Sequence, residues 1–287
     1  MIEIDISPFL LSTNFISNIT LSWHGLFSFI AVASAVILVA RWAPLRQIDP
    51  DVILSIAIWG IIGGVIGARF VHVIDNWGPI YSQRPEQIIQ IWTGGIGVGG
   101  GILGGFIAAA GYALIFKHPV CLISDLTAPA MLYVQSIGRL GDIVNGEHCS
   151  TATDFFFGFT WTHQLSAARS CSDGWLNESV HPAVVYEMIW NILSLAIIWQ
   201  LRGRLKPDGM LWTLYLALYS AGRFVVSFFR MDPVWAFGMQ EAQYIALLVL
   251  AITVPLLIIK ARLTDRVEDT PLVIESGSRA ERRRKSR

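Results

Sequence analysis

The amino-acid sequence predicts an all-α integral membrane protein, with about seven transmembrane helices and an external cap between spans four and five. Of its 287 residues, 54% are hydrophobic and only 15% are charged. The mean hydropathy of +0.55 is too high for an ordinary soluble domain. Because lipid offers no partner for unpaired backbone groups, long apolar stretches are helices. Stretches that approach the roughly 20 residues needed to cross a bilayer begin near Leu21, Val52, Ile96, Val120, Val184, Met210 and Tyr244.

Basic residues in the short connections predict the orientation of these spans. They lie in alternate loops, which the positive-inside rule assigns to the cytoplasm together with the C-terminus, so that the N-terminus is outside. We therefore predict one membrane domain over residues 1–264, an external cap over about 141–181, and a basic, disordered cytoplasmic tail over 265–287. The basic loop residues are Arg41, Arg46, Lys117, Arg202, Arg204, Lys206, Lys260 and Arg262.

Cys149 and Cys171 lie in the predicted external cap, where the environment permits disulfides. They can pair or remain two free thiols, because spacing alone does not decide between these alternatives. Neither cysteine has neighbours in a zinc-ligand pattern, so no metal site is predicted. The sequence contains no internal repeat of the kind that would indicate a transporter. Nothing in it predicts a nucleic-acid partner.

Ionisable side chains at membrane depth are the first candidates for a site, because each needs a partner, water or a ligand there. Glu187 on span five needs a cation or a raised pKa. On span six, Tyr219, Arg223 and Arg230 follow one another at steps of four and seven and share a helical face. A guanidinium as deep as that of Arg223 requires an anion, and lipid phosphate is the most abundant anion at that depth. Arg69, near the outer end of span two, can instead extend to water.

The segment GRLGDIVNGE, residues 138–147, places further charges at the external end of span four. Its glycines can admit a ligand close to the backbone or break the helix. Arg139 and Arg223 together can clamp one phosphodiester. The alternative is that Arg139 pairs with Asp142 or Glu147 and closes a loop.

Six ordered elements of the chain resemble the prolipoprotein diacylglyceryl transferase family. GRLGDIVNGE is similar to the family signature GR-x-GN-x-x-NGE, and the resemblance extends over most of residues 21–260. The other elements that carry it are GARFVHVI, IWTGGIGVGGGILGG, SDLTAPAMLYVQSIGR, HPAVVYE and YSAGRFVVSFFR.

The resemblance implies a reaction and a set of residue roles. The family transfers the sn-1,2-diacylglyceryl group of phosphatidylglycerol to the lipobox cysteine thiol of a prelipoprotein signal peptide, in the bacterial plasma membrane and without a cofactor. The thiolate belongs to the substrate, so no enzyme cysteine is needed. The resemblance assigns catalysis to Arg139, Arg223 and Glu147, and we add His24 as a candidate base. Phosphatidylglycerol binding is assigned to Arg139, Asn145, Gly146, Tyr219, Arg223 and Asp142, and structural support to Arg69, Asp125, Glu187 and Arg230.

Four positions depart from the family pattern. The usual Asn of the signature is Asp142, the usual Tyr of the first span is His24, the His or aromatic of the third span is Gly99, and a Glu of the sixth is Ser227. One hypothesis is that the enzyme is active and His24, or His148, takes the thiol proton, since an imidazole titrates near neutral pH. The other is a catalytically impaired paralogue that binds phospholipid or acts as a non-enzymatic membrane protein.

Overall fold

The computed structural model describes residues 1–13, 19–90, 97–171 and 176–265. In this part of the chain, six helices are long and apolar enough to cross a membrane, and α3 is apolar but shorter. The predicted all-α membrane fold is confirmed, and the chain is a multi-pass membrane protein. Most of the predicted tail over 265–287 lies outside the described residues. The helices are α1 (Trp23–Trp42), α2 (Pro50–Asp75), α3 (Val98–Ile115), α4 (Val120–Asn145), α5 (Ala183–Leu201), α6 (Met210–Val226) and α7 (Glu241–Lys260).

The helices begin close to where the apolar stretches begin. Val120 and Met210, the first residues predicted for spans four and six, are the first residues of α4 and α6. Short strands lie before, between and after the helices. They are β1 (Ile2–Ile4), β2 (Phe9–Thr13), β3 (Ile19–Ser22), β4 (Phe159–Trp161), β5 (Leu205–Lys206) and β6 (Arg262–Leu263).

The described chain separates into two compact units, one of residues 38–123 and one of residues 1–37 with 124–265, where the sequence predicts a single domain. In the first unit, α2 packs on α3 through glycines. A Cβ at Gly67 would lie 2.3 Å from the carbonyl oxygen of Gly100, and one at Gly104 would lie 2.4 Å from that of Gly63. Small residues therefore let the two backbones touch, as membrane helices often do.

In the second unit, α4, α5 and α6 share an apolar core. Asp125 of α4 accepts hydrogen bonds from the backbone amides of Gly209 and Trp212, both at 2.8 Å, and so satisfies amides at the start of α6. Trp190 of α5 donates its indole N–H to the carbonyl of Leu218 on α6. The fully packed core side chains are Ala128, Leu132, Ile198, Leu211 and Tyr215.

Strand pairing shows which connections share a side of the second unit. Parallel β1 and β4 place the N-terminal residues beside the connection between α4 and α5. Antiparallel β5 and β6 place the connection between α5 and α6 beside the residues that follow α7. These two groups of connections lie at opposite ends of the helices.

The signature segment is helical almost to its end, although the sequence predicts that the external cap starts at about residue 141. α4 continues through Gly138 and Gly141 to Asn145. A Cβ at Gly141 would lie 2.5 Å from the Cα of His24, so this glycine lets α1 and α4 touch. The helix stops at Gly146, whose φ of +71° is in the left-handed region that favours glycine.

Candidate active site

Arg139 is held by two carboxylates from two helices. Its Nη1 lies 2.7 Å from Oδ2 of Asp142, one turn further along α4, and its Nη2 lies 2.6 Å from Oε1 of Glu187 on α5. The contact with Asp142 is one of the two pairings that the loop-closing alternative predicts. It forms inside a helix because residues three apart share a face.

Glu187 brings Arg139 and Arg223 to the same anion. Its Oε2 lies 3.4 Å from Nη1 of Arg223, while its Oε1 accepts from Arg139, and its side chain is 3% exposed. Arg223 also lies 3.8 Å from Asp232. The two arginines that the sequence assigns to one phosphodiester thus converge, and in this structure they share a protein carboxylate.

Asp142 is a buried acceptor at the centre of the site. Its Oδ1 lies 2.7 Å from Nδ1 of His24, and its Oδ2 contacts Arg139 and lies 3.3 Å from Nε2 of His148. Its side chain is 4% exposed, whereas that of His24 is 42% exposed. The carboxylate therefore faces other side chains of the site, and His24 lies at the accessible edge.

Asn145, Gly146 and Glu147 form the end of the signature. The side-chain amide of Asn145 donates to Oε1 of Glu147 at 2.9 Å, and Oε2 of Glu147 lies 3.8 Å from Nδ1 of His24. Gly146 is packed so closely that a Cβ would lie 2.2 Å from the hydroxyl of Ser166. Gly146 thus makes the turn that brings Glu147 back towards His24.

Arg230 has a bidentate partner and lies beyond the end of α6, in extended backbone, so it does not share the helical face predicted for it with Tyr219 and Arg223. Its Nε and Nη2 donate to the two oxygens of Asp232 at 2.8 and 3.0 Å, and its Nη2 lies 3.0 Å from Nδ1 of His148. Burial raises the pKa of the Asp232 carboxyl, but Arg230 outweighs burial and holds that pKa below its usual value. The stabilisation from this pair is complete above the pKa of a free aspartate, about 3.9, and is lost as the pH falls through the lower folded-state value.

Three of these side chains have donors close enough to share a metal ion. Ligand atoms of His24, Asp142 and Glu147 lie within 4.8 Å of one another. The oxygens of Asp142 already accept from His24 and from the guanidinium of Arg139. A positive guanidinium in contact with the central ligand opposes a divalent cation, so this group fits an ion-pair network better than a metal centre.

The site has a counterpart in known proteins. The family model of the prolipoprotein diacylglyceryl transferases matches residues 12–259 of the chain. This chain belongs to the prolipoprotein diacylglyceryl transferase family. It is therefore a member of a family of transferases, as its motifs predict.

Relatives in several bacteria carry the name phosphatidylglycerol–prolipoprotein diacylglyceryl transferase. One from Thermosynechococcus vestitus is 33% identical over 82% of this chain and 86% of its own length. One from Symbiobacterium thermophilum is 34% identical over 83% and 87% of the two chains. One from Trichormus variabilis is 35% identical over 81% and 83%. The similarity thus covers nearly the whole of each protein.

Two of the residues assigned to structural support in this family member lie away from the network around Arg139. Asp125 caps α6, as described above. Arg69 is buried, donates its Nε to the carbonyl of Ile88 at 2.9 Å, and stacks its guanidinium over the ring of Tyr81. Arg69 thus binds the backbone of the connection that follows α2, and it does not extend to water.

The remaining assigned residue, Tyr219, lies close enough to Glu187, Arg139 and Arg223 to interact with their charges, whereas the other two departures add no charge to the site. Tyr219 is half-buried on α6 and its ring lies against that of Tyr215. Ser227 is buried and donates its hydroxyl to the carbonyl of Arg223, one turn earlier. A Cβ at Gly99 would meet no other described side chain or neighbouring segment within 4 Å. Neither Ser227 nor Gly99 supplies a charge or a base.

Sequence reasoning missed three residues that shape the site. Asp232 pairs with Arg230 two residues earlier, and the short spacing in Arg-Met-Asp was the available signal. Trp161 donates its indole N–H to the carbonyl of Ile143, and Ser166 donates its hydroxyl to that of Asn145. Both bind the last turn of α4 from a distant part of the chain, and no local pattern indicates this.

Cys149 and Cys171 are joined by a disulfide in the structure. Cys149 directly follows Glu147 and His148, and its carbonyl accepts a hydrogen bond from the amide of Met231. The disulfide therefore lies against the segment that carries Arg230. Cys121 is a free, exposed cysteine on α4.

This pairing predicts how many cysteines react with a thiol reagent. The chain has three cysteines, so denatured but unreduced protein should take up one alkyl group, on Cys121, and reduced protein should take up three. Intact mass spectrometry measures both numbers. Uptake of three alkyl groups without a reductant would show that Cys149 and Cys171 are free thiols.

Proposed function

We propose that this chain is a phosphatidylglycerol–prolipoprotein diacylglyceryl transferase that acts on the lipobox cysteine of prelipoprotein signal peptides. The observation that carries the proposal is the convergence of Arg139 and Arg223, from α4 and α6, on the carboxylate of Glu187. His24 is joined to the same Arg139 through Asp142. Two guanidinium groups at membrane depth fit a phosphodiester, which accepts several charge-assisted hydrogen bonds at once. The names of the relatives support the same substrates.

The chemistry requires a carbon–oxygen bond to break. The cysteine sulfur forms a bond to the sn-3 carbon of the lipid glycerol, and the electron pair of the breaking C–O bond remains on the phosphate oxygen. Glycerol 1-phosphate leaves with additional negative charge. Arg139 and Arg223 stabilise that developing charge, which is the role in which fixed cations accelerate a reaction most.

His24 is the base that this geometry favours for the thiol proton. Its Nδ1 lies against the carboxylate of Asp142, which keeps the proton on that nitrogen and leaves the lone pair on Nε2. Within the described part of the chain, Nε2 makes no hydrogen bond, and the side chain is accessible. A thiol that approaches this edge of the site can donate its proton to Nε2.

His148 is less suited to this role because both of its ring nitrogens are already engaged. Its Nδ1 faces Arg230 at 3.0 Å, and its Nε2 lies between Asp142 and Arg139. A neutral imidazole has one acceptor nitrogen, and here that acceptor binds a guanidinium. Of the two bases that the sequence left open, the geometry therefore supports His24.

The topology proposed for the bacterial plasma membrane places the site on the external side, with the N-terminus outside and the C-terminus in the cytoplasm. The pairing of β1 with β4 and of β5 with β6 groups the connections as the alternate basic loops require. A disulfide in the connection after α4 fits an oxidising compartment. An exported signal peptide presents its lipobox cysteine from that side.

Lysine variants of the two arginines test the phosphate site. Arg139→Lys and Arg223→Lys keep the charge but lose the forked geometry, so each should lower kcat/KM for phosphatidylglycerol by about 10²-fold. Purified protein in detergent, phosphatidylglycerol and a lipobox peptide give the rate, with the thioether product measured by mass spectrometry.

Arg169→Lys is the matched control, because Arg169 is exposed in the connection after α4. It should keep the wild-type rate. Wild-type turnover in Arg139→Lys and Arg223→Lys would remove these arginines from the phosphate site. A wild type without product, beside an active relative in the same assay, would instead favour the impaired phospholipid-binding paralogue.

Comparison of two histidine variants tests the base. His24→Ala should lower kcat by at least about 10²-fold, as loss of a general base does, and should do so more strongly than His148→Ala. The same peptide assay measures both. If His148→Ala were the more damaging substitution, the role of base would pass to His148.

A further inference from the structure

One buried carboxylate connects the base to the phosphate site. Oδ1 of Asp142 lies 2.7 Å from Nδ1 of His24, and Oδ2 of the same side chain lies 2.7 Å from Nη1 of Arg139. Oδ2 also lies 3.3 Å from Nε2 of His148, and Glu187 holds the other nitrogen of Arg139. The imidazole of His24 and the guanidinium of Arg139 are nevertheless joined directly through one side chain that is almost completely buried.

The backbone is arranged to make this connection short. Gly141, the neighbour of Asp142, lets the start of α1 lie against α4, because any Cβ there would collide with the backbone of His24. Gly138 lies one turn earlier in α4, and a Cβ there would meet no described atom within 4 Å. The close approach is therefore specific to the turn that carries Asp142.

The two family departures at positions 24 and 142 are thus in direct contact, although they are 118 residues apart in the sequence. Their side chains form a hydrogen-bonded histidine–aspartate pair at 2.7 Å. The carboxylate sets the tautomer and the direction of the ring, and it balances the imidazolium that forms when the ring accepts a proton.

We propose that Asp142 is a positioning residue that acts through His24 and Arg139, holding the base and the phosphate-binding guanidinium in one fixed arrangement. This inference rests on the proposed transferase function and deepens it. In the reaction, the thiol proton moves to Nε2 of His24, while the proton on Nδ1 stays between His24 and Asp142. Asp142 itself contacts neither the sulfur nor the lipid.

A double-mutant cycle on kcat tests this role. Asp142→Asn keeps the size of the side chain but removes its charge and turns an amide donor towards Arg139 or His24, so kcat should fall by at least about 10²-fold. In a His24→Asn background the same change should lower kcat by only about threefold or less, because residues that act as a unit lose their effect together. Asp142→Asn also weakens the hold on Arg139, and this effect should appear as a raised KM for phosphatidylglycerol.

A second pair of variants keeps the test valid if Asp142→Asn does not fold. Gly141→Ala forces α1 away from α4 and should lower kcat as Asp142→Asn does. Gly111→Ala is the control: it lies within α3, outside the site, where an added Cβ meets no other described side chain or segment within 4 Å, and it should keep the wild-type kcat. Equal kcat values for these two alanine variants, or equal effects of Asp142→Asn with and without His24, would overturn the proposal.

A stability measurement separates this inference from the proposed function. In His24→Asn, the side-chain amide can still donate to Asp142, whereas His24→Phe leaves the buried carboxylate without that donor. The Phe variant should therefore unfold at a lower temperature than the Asn variant, whether or not the wild type makes thioether. Equal unfolding temperatures would show that the contact between His24 and Asp142 is not formed, even in an active enzyme.

Discussion

The guanidinium of Arg139 must be neutralised at the depth where α4 ends, and the site is arranged around the two carboxylates that neutralise it. A charge removed from water needs a partner with good geometry, because its desolvation is costly. Asp142 and Glu187 supply that partner from two helices. Each carboxylate then has a second oxygen free for another group, and these second oxygens connect Arg139 to His24 and to Arg223. The carboxylates that neutralise Arg139 therefore also fix the positions of His24 and Arg223.

Close backbone packing makes this network rigid. Gly141 brings α1 against α4, Gly146 turns the chain so that Glu147 faces His24, and the hydroxyl of Ser166 holds the last turn of α4. The disulfide between Cys149 and Cys171 joins two parts of the connection that follows α4. A site that handles a leaving phosphate needs groups held to within a fraction of an ångström, because donors preorganised for the developing charge need no rearrangement during the reaction. The glycines and the disulfide hold these groups in place through close backbone contacts and one covalent link.

The sequence predicts most of the fold, because in lipid a long apolar run can only be a helix, and Val120 and Met210 begin their helices as expected. It also places Tyr219 and Arg223 on one face of α6, since that depends on spacing alone. It is wrong for Arg230, because α6 ends at Val226 and Arg230 lies in extended backbone after a short 3-10 turn. It does not predict that α4 continues through Gly138 and Gly141, because glycine lowers local helix propensity and the contact that requires Gly141 comes from α1. The contact of His24 with Asp142 spans 118 residues and follows from tertiary packing. The family resemblance marks both positions as departures, but only the structure shows that they touch.

In the proposed reaction, sulfur attacks the lipid at carbon while two arginines hold the phosphate. The most direct test is to quantify both products of one reaction between the purified wild-type protein, phosphatidylglycerol and a lipobox peptide. Attack at carbon should yield glycerol 1-phosphate and diacylglyceryl-thioether peptide in equal amounts, and neither should form when the peptide cysteine is replaced by serine. Release of diacylglycerol with phosphorus attached to the peptide, or release of glycerol phosphate without any thioether, would contradict this reaction.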